Sequence, residues 1–300
     1  MHSNSLVALG FLGLACTSAY AQEAEISFRA TELAAGLYML EGQGGFTGGN
    51  LCLSVGEDGV VLIDDGVAPL ASKMLAAVTD IAGRPVDFVV NTHVHGDHIG
   101  GNATLHESGA TIIGHENVRR RLVEDDAVSA DGSAPAPESM LPEVTFSQSM
   151  TFHLNGHEAF VFHVERAHTD GDAVIYFRGV DVFHAGDILF NGIFPFIDLE
   201  SGGSVAGYLE AQDDILSLAG PESRIIPGHG PLAGKSDLRA ARDMLADATG
   251  RVKALVDAGR SEQDIVAENP LEPYEDWSWN FITTEVMTRT LVRDLQRSRQ

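Results

Sequence analysis

Short apolar runs broken by glycine-rich turns make up the first third of the chain. Residues 37–41, 51–55 and 60–64 each read as a strand, separated by the glycine-bearing stretches 42–49 and 56–59. Residues 69–81 carry apolar positions at helical spacing, and residues 86–91 form an apolar run fit for a buried strand. A strand at 111–113 and a helix at 116–125 follow. Residues 127–143, punctuated by Pro135, Pro137 and Pro142, read as an irregular crossing loop. The second half repeats the theme, with strands at 150–154, 159–164, 173–177 and 180–184, a helix at 205–218 and a strand at 224–226. Two long helices, 236–258 and 283–297, close the chain. Each half offers strands followed by helices, the pattern of two sheets packed together with helices outside.

The amino-terminal end stands apart from this pattern. Residues 6–15 are a short apolar core, and Ala19-Tyr20-Ala21 gives the small-x-small cleavage pattern before Gln22. Residues 1–21 are therefore expected to be a secretory signal, with residues 22–300 as one catalytic domain in the periplasm or outside the cell. No stretch of the remaining chain is apolar for the 18 or more residues that a membrane span requires. Cleavage would remove Cys16 and leave Cys52 alone, so no internal disulfide is expected. Cys52 lies in an apolar strand and reads as a small buried hydrophobe. Lys and Arg total 19 against 43 Asp and Glu, a formal net charge of -24. Such a surface repels phosphate backbones, which argues against a nucleic-acid partner and for a small-molecule substrate.

The chemistry concentrates in His93-Val94-His95-Gly96-Asp97-His98. Zinc prefers imidazole nitrogen and carboxylate oxygen, and this hexad holds four such groups directly after a buried strand. Strand alternation would send His93, His95 and Asp97 to one side, with Gly96 turning the chain so that His98 approaches from another. Three further segments share the character: Ala167-His168-Thr169-Asp170-Gly171-Asp172, Phe183-His184-Ala185-Gly186-Asp187, and Ile226-Pro227-Gly228-His229-Gly230-Pro231. Each candidate follows a short strand, so all can converge on one rim. Asp170 and Asp172 are candidates to take the second ring proton of His168, and Asp64 and Asp65 to support the His93 loop. His184 reads as a supporting residue and His115 as a helix cap or pocket residue. His2, His106, His153, His157 and His163 read as ordinary polar positions.

Together these residues resemble the metallo-β-lactamase-fold hydrolase superfamily. Thr92 to Gly101 matches its signature at every diagnostic position, and the likeness runs from about Leu33 to His229. The resemblance implies an α/β fold, a four-layer αβ/βα sandwich, and two zinc ions per chain. His93, His95 and His168 would hold the first ion, and Asp97, His98 and His229 the second, with Asp187 bridging. Asp97 and Asp187 would also take part in catalysis, Asp97 by orienting the nucleophile or carrying its proton. Such a pair shares a water and lowers its pKa to roughly 7, giving a bridging hydroxide that attacks a carbonyl. No Gly-x-Ser-x-Gly turn offers a serine nucleophile instead.

The resemblance leaves the reaction open. Drug-hydrolysing relatives commonly carry Cys or Ser where this chain has Asp187, and hold the drug's carboxylate with a cation or hydroxyl group. Here Ile188 to Gly192 contains no Lys or Arg. Asp187 looks more like the thioesterase and lactonase branches, including glyoxalase II, so an ester, thioester, lactone or amide is expected. A β-lactamase and an iron-dependent redox enzyme of the same fold stay as alternatives. Phe190, Phe194, Pro195 and Phe196 either line a substrate pocket or pack beneath the loop. Phe46 would tip a glycine-rich flap, and Trp277 and Trp279 are expected to pack.

Overall fold

The structure, a computed structural model, describes residues 25–124 and 136–299. The expected leader at 1–21 lies outside the described residues, as does part of the crossing loop at 127–143. The first sheet has seven strands in sequence order: β1 (Ser27–Ala34), β2 (Leu37–Gln43), β3 (Leu51–Val55), β4 (Val60–Ile63), β5 (Phe88–Val90), β6 (Thr111–His115) and β7 (Val144–Phe146). It is antiparallel from β1 to β4 and parallel from β4 to β7. Between its strands run α1 (Ala71–Ala82), the single turn α2 (Gly96–Ile99), α3 (Asn102–Glu107) and α4 (Glu116–Glu124).

The second sheet comprises β8 (Ser149–Leu154), β9 (His157–His163), β10 (Ala173–Arg178), β11 (Val182–Phe190), β12 (Arg224–His229) and β13 (Ala233–Gly234), in reverse sequence order. Only β11 and β12 pair in parallel there. The later helices are α5 (Val205–Leu218), α6 (Lys235–Asp257), α7 (Glu262–Glu268) and α8 (Thr284–Arg297).

Side-chain alternation sorts these elements into four layers. On the first sheet Leu37, Met39, Cys52, Val61 and Ile63 point inward, against Val161, Ile175 and Phe177 of the second. Their neighbours Leu40, Leu51, Leu53 and Leu62 point outward, under Met74 and Val78 of α1. On the second sheet the outward set, Val174, Phe183, Ala185 and Ile225, packs against Ala211 and Ile215 of α5 and Leu238 of α6. Each leucine fully buried in this way contributes roughly 1.5–3 kcal/mol. The α/β four-layer sandwich expected from the sequence is the observed fold. Cys52 is buried in the central core, where desolvation pushes its thiol pKa upward, as befits a small hydrophobe. Among the described residues no helix is long and apolar enough to cross a membrane.

The two sheets open at one rim. There β5 runs into the His93 segment, β12 ends at His229, and the irregular middle of β11 carries Asp187. Ligands of open α/β sheets bind beyond the carboxyl ends of parallel strands, and this rim is such a place.

Candidate metal centre

All seven residues singled out in the sequence meet at the rim. Ligand-type atoms of His93, His95, His168 and Asp187 lie within 4.8 Å of one another, as do those of Asp97, His98 and His229. Asp187 joins the two groups. Its Oδ2 lies 3.3 Å from His168 Nε2 and 3.7 Å from His93 Nε2, while its Oδ1 lies 3.1 Å from His98 Nε2 and 3.5 Å from His229 Nε2. Asp97 Oδ2 completes the second group at 3.3 Å from His229 Nε2. Donors around a tetrahedral ion at about 2.1 Å stand roughly 3.4 Å apart, so these separations suit two adjacent cations.

The tautomers point the same way. His168 Nδ1 lies 2.8 Å from the Phe196 carbonyl, which can only accept, so that nitrogen carries the proton. His98 Nδ1 donates to Asp64 Oδ2 at 2.7 Å, and His95 Nε2 to Asp198 Oδ2 at 3.0 Å. The Thr92 hydroxyl spends its own proton on Asp64 Oδ2 at 2.8 Å, so His93 Nδ1, 3.0 Å away, donates to it. Each ring therefore turns its other nitrogen to the centre. His93 Nε2, His98 Nε2 and Asp187 Oδ1 are buried there without a hydrogen-bond partner, and His168 Nε2 faces His95 Nδ1 at 2.8 Å. Convergent lone pairs in a desolvated pocket repel unless a cation lies between them, and this donor set fits a pair of divalent ions.

Electrostatics support the assignment of charge. Burial holds the pKa of His93 well below its usual value and that of His168 down at about 4, so both are neutral. For Asp187 desolvation acts upward but is outweighed by His98, His229, His168 and His93, which hold the carboxylate ionised. Asp97 is likewise lowered, because His98 and His229 overcome its desolvation. His98 goes the other way: Asp187, Asp97 and Asp64 overcome burial and raise it well above the usual imidazole range, so without an ion its Nε2 holds a proton toward Asp187 Oδ1 that a bound cation would displace.

Several local devices build this geometry. Asp64, at φ +57°, accepts from the Thr92 N–H at 2.7 Å as well as from its hydroxyl, and Asp65 accepts from the Gly101 N–H at 2.7 Å. Both carboxylates support the hexad, as expected. Asn50 donates to the Pro227 and Gly230 carbonyls at 2.9 Å each and clamps the His229 loop. Gly186 adopts φ +49° at an irregularity in the β11–β12 register, and a Cβ there would come within 2.8 Å of Thr92. A Cβ on Gly228 would lie 1.9 Å from Asp187 Oδ1.

Some expectations need correction. Strand alternation does not continue through the hexad: His95 is the residue before α2, and Asp97 and His98 sit on that helical turn, which separates the two ligand groups. Gly96 opens that turn in helical conformation, and the chain turns there so that His98 joins the second group, as expected. Asp187 lies inside β11, which continues to Phe190, and not at a strand end. Neither Asp170 nor Asp172 receives the proton of His168. Asp170 pairs with Arg120 and Arg121, and Asp172 accepts from the Thr169 N–H and hydroxyl. His115 accepts from the Asn117 N–H near the start of α4 and lines a separate polar cleft. His184 supports from behind, with Nε2 3.1 Å from the Asn50 carbonyl.

A cavity of about 510 Å³ opens over the centre, with His95, Asp97, Asp187 and His229 in its floor. Its walls are Phe46, Phe190, Phe196, Trp279 and Phe281. Phe190 and Phe196 thus line the pocket, while Phe194 is fully buried in the helical core and packs. Trp277 packs as expected, but Trp279 does not only pack: it forms part of the wall. Asp198, Asn50 and Phe281 escaped the sequence reading. Asp198 had a weak signal in Phe194-Pro195-Phe196-Ile197-Asp198, a lone acid in an apolar run.

Comparison with known proteins agrees with this geometry. The family model of the metallo-beta-lactamase superfamily matches residues 44–229. Similar curated proteins include a hydroxyacylglutathione hydrolase of Pelagibacter ubique, 30% identical over 126 residues, covering 42% of this chain and 45% of that protein. Another, from Methylococcus capsulatus, is 32% identical over 113 residues, covering 36% of this chain and 41% of its own. The matches span less than half the length of these relatives. Among solved structures, a metallo-beta-lactamase from Pontibacter korlensis superposes with a TM-score of 0.59 at 19% identity, over 73% of this chain and 99% of its own. The stereoselective inverting sec-alkylsulfatase from Pseudomonas sp. gives 0.66 at 19% identity, over 88% of this chain and 49% of its own. Those two likenesses speak to the fold, and the family match covers every residue of the centre: the chain belongs to the metallo-beta-lactamase superfamily.

Proposed function

We propose that the protein is a dinuclear zinc hydrolase that cleaves a carbonyl substrate, an ester, thioester, lactone or amide. The observation that carries this reading is Asp187, whose two oxygens face two separate groups of inward-turned ligands. His93, His95 and His168 would hold one ion and Asp97, His98 and His229 the other, with Asp187 shared. When bound, such a pair supplies an acidified water and a Lewis acid for a carbonyl oxygen.

The chain's own residues do the rest. Asp97 is ionised and reaches the pocket floor, so it can orient the attacking water or hold its proton. The Tyr208 hydroxyl donates to the main-chain carbonyl of Asp187 at 2.8 Å and fixes the bridging residue from behind. The aromatic wall excludes solvent from one side of the reacting group. Export through the leader at 1–21, and a single catalytic unit over 22–300, belong to the same proposal.

Metal analysis of the protein purified without added metal, followed by a panel of ester, thioester, lactone and β-lactam substrates, tests it. About two zinc per chain and turnover abolished by His95→Ala are expected. Stoichiometric iron, or zinc-loaded protein inert on the whole panel, would defeat the reading.

A further inference from the structure

The rings around the cavity form a nearly closed circuit. Phe46 lies 6.4 Å from the His229 ring, at 11° to it. His229 stacks on Phe190 at 4.9 Å, and Phe190 lies 6.1 Å from Trp279. Trp279 meets Phe281 at 5.6 Å, Phe281 meets Phe196 at 5.4 Å, and Phe196 meets His95 at 5.6 Å. From His229 to His95 the circuit runs between the two candidate ligand groups, with Phe46 added outside His229. Trp279 is fixed in it by its indole N–H, which donates to the Phe194 carbonyl at 3.0 Å. Phe46 and Phe281 stand at the mouth, 66% and 58% exposed.

The charges within this circuit are confined to the floor. Asp97 and Asp187 are the acids that line the cavity, both in the ligand set, and among the described residues no Lys or Arg lines it. A substrate carboxylate held against the wall would lose water and meet no cation, which is unfavourable. A flat or aliphatic neutral group would instead bury apolar area against four or five rings.

Resting on the hydrolase reading above, we infer that the pocket selects neutral carbonyl compounds carrying an aromatic or other apolar group, and rejects substrates in which the group laid against the wall carries a carboxylate. For an ester, the water oxygen forms the new acyl C–O bond and the bond to the alkoxy oxygen breaks. The alcohol leaves with one proton, and the acid gives the other to solvent as it ionises. The preference comes from Phe281, Trp279 and their neighbours and not from the ions, so it survives in binding when no bond is broken.

The test pairs two esters of equal chain length, para-nitrophenyl hexanoate and the para-nitrophenyl half-ester of adipic acid, with the zinc-loaded full chain. The neutral ester is expected to have the higher kcat/KM by at least about tenfold. Phe281→Arg places a cation at an exposed position of the rim and should shrink that ratio by about fivefold or more. A second arm reads binding alone, by tryptophan fluorescence of metal-stripped protein titrated with benzylacetone or its para-carboxylate, with Trp279→Phe assigning the signal. Benzylacetone should bind at least about tenfold more tightly. Equal use of the two esters, preference for the half-ester, or equal binding of the two ketones would overturn the inference. If neither ester is cleaved while benzylacetone still binds selectively, esters drop out of the hydrolase reading and the pocket's selectivity stands.

Discussion

Replacing Asp198 with asparagine tests how His95 is held ready for an ion. In the native chain Asp198 Oδ2 accepts from His95 Nε2 at 3.0 Å, while Oδ1 accepts from the N–H groups of Glu200 and Ser201, both at 3.0 Å. Burial alone would raise the Asp198 pKa, but the hydrogen bonds from His95 and Ser201 outweigh it and hold the carboxylate well below the usual range. An asparagine can keep its oxygen toward Glu200 and Ser201 and turn its amide N–H toward His95. Nε2 must then accept, and the ring proton moves to Nδ1, the atom that faces the centre. Without an ion this arrangement satisfies every group, so the metal-free protein adopts it. Binding an ion at Nδ1 forces the amide over, leaving two backbone donors facing an NH₂ group. Two lost hydrogen bonds at about 1 kcal/mol each come to about 2 kcal/mol, or roughly 30-fold in affinity. That falls within the 10–100-fold range usual for outer partners of metal ligands. Competition with a calibrated chelator, site by site, measures the affinity, and thermal melts of metal-stripped protein check the fold. The expected result is roughly 30-fold weaker binding of one ion with an unchanged metal-free Tm. Affinity within about twofold of wild type for both ions would refute the assignment of Nδ1 as the ligand atom.

Three further changes follow from the same geometry. Gly228→Ala adds a methyl group 1.9 Å from Asp187 Oδ1, so it should lower zinc content below two per chain although Gly228 is no ligand. Overpacking of this kind also costs about 1–3 kcal/mol, readable by chemical denaturation, and a normal zinc content would contradict the shared role of Asp187. Tyr208→Phe removes the buried hydroxyl that donates to the Asp187 carbonyl at 2.8 Å, and should cost about 1–3 kcal/mol of stability because an acceptor is left unpaired; no measurable loss would show that the bond contributes nothing. Burial, and the His163 ring stacked 3.8 Å away, hold the His115 pKa below its usual value. The folded chain keeps that ring neutral while the unfolded chain takes a proton, so stability is lost as pH falls through about 6.5. His115→Phe should flatten the dependence of Tm on pH between about 7 and 5, and identical slopes would count against it.

The seven candidate ligands are legible because metal binding restricts residue type. Seven imidazole and carboxylate side chains, four of them within one hexad that follows an apolar run, leave a pattern that survives any detail of backbone geometry. The same reasoning failed where tertiary contacts decide. β1 was invisible because most of its residues are exposed, so no apolar face repeats along it. β11 was cut short because all nine of its residues are buried, and without alternation its length cannot be read. Asp198 and Asn50 act through partners about 100 and 180 residues away, at His95 and Gly230, and nothing local marks either as special. Asp170 and Asp172 misled for the opposite reason. Their closeness in sequence to His168 suggested a contact, but the ring turns its proton to the Phe196 carbonyl instead.

That division between what sequence shows and hides follows the division of labour in the site. The family match, residues 44–229, ends on the last ligand and contains all seven. Trp279 and Phe281, which close the aromatic wall, lie beyond it, on the segment leading into α8. The floor must supply particular donor atoms at separations near 3.4 Å, and few residue types can do so. The wall must supply only apolar area and the lack of a cation, which many sequences satisfy. A shared fold with one floor can therefore carry different walls. On this argument the proposed reaction class rests on the seven floor residues, and the proposed choice of substrate on rings that no ligand motif specifies.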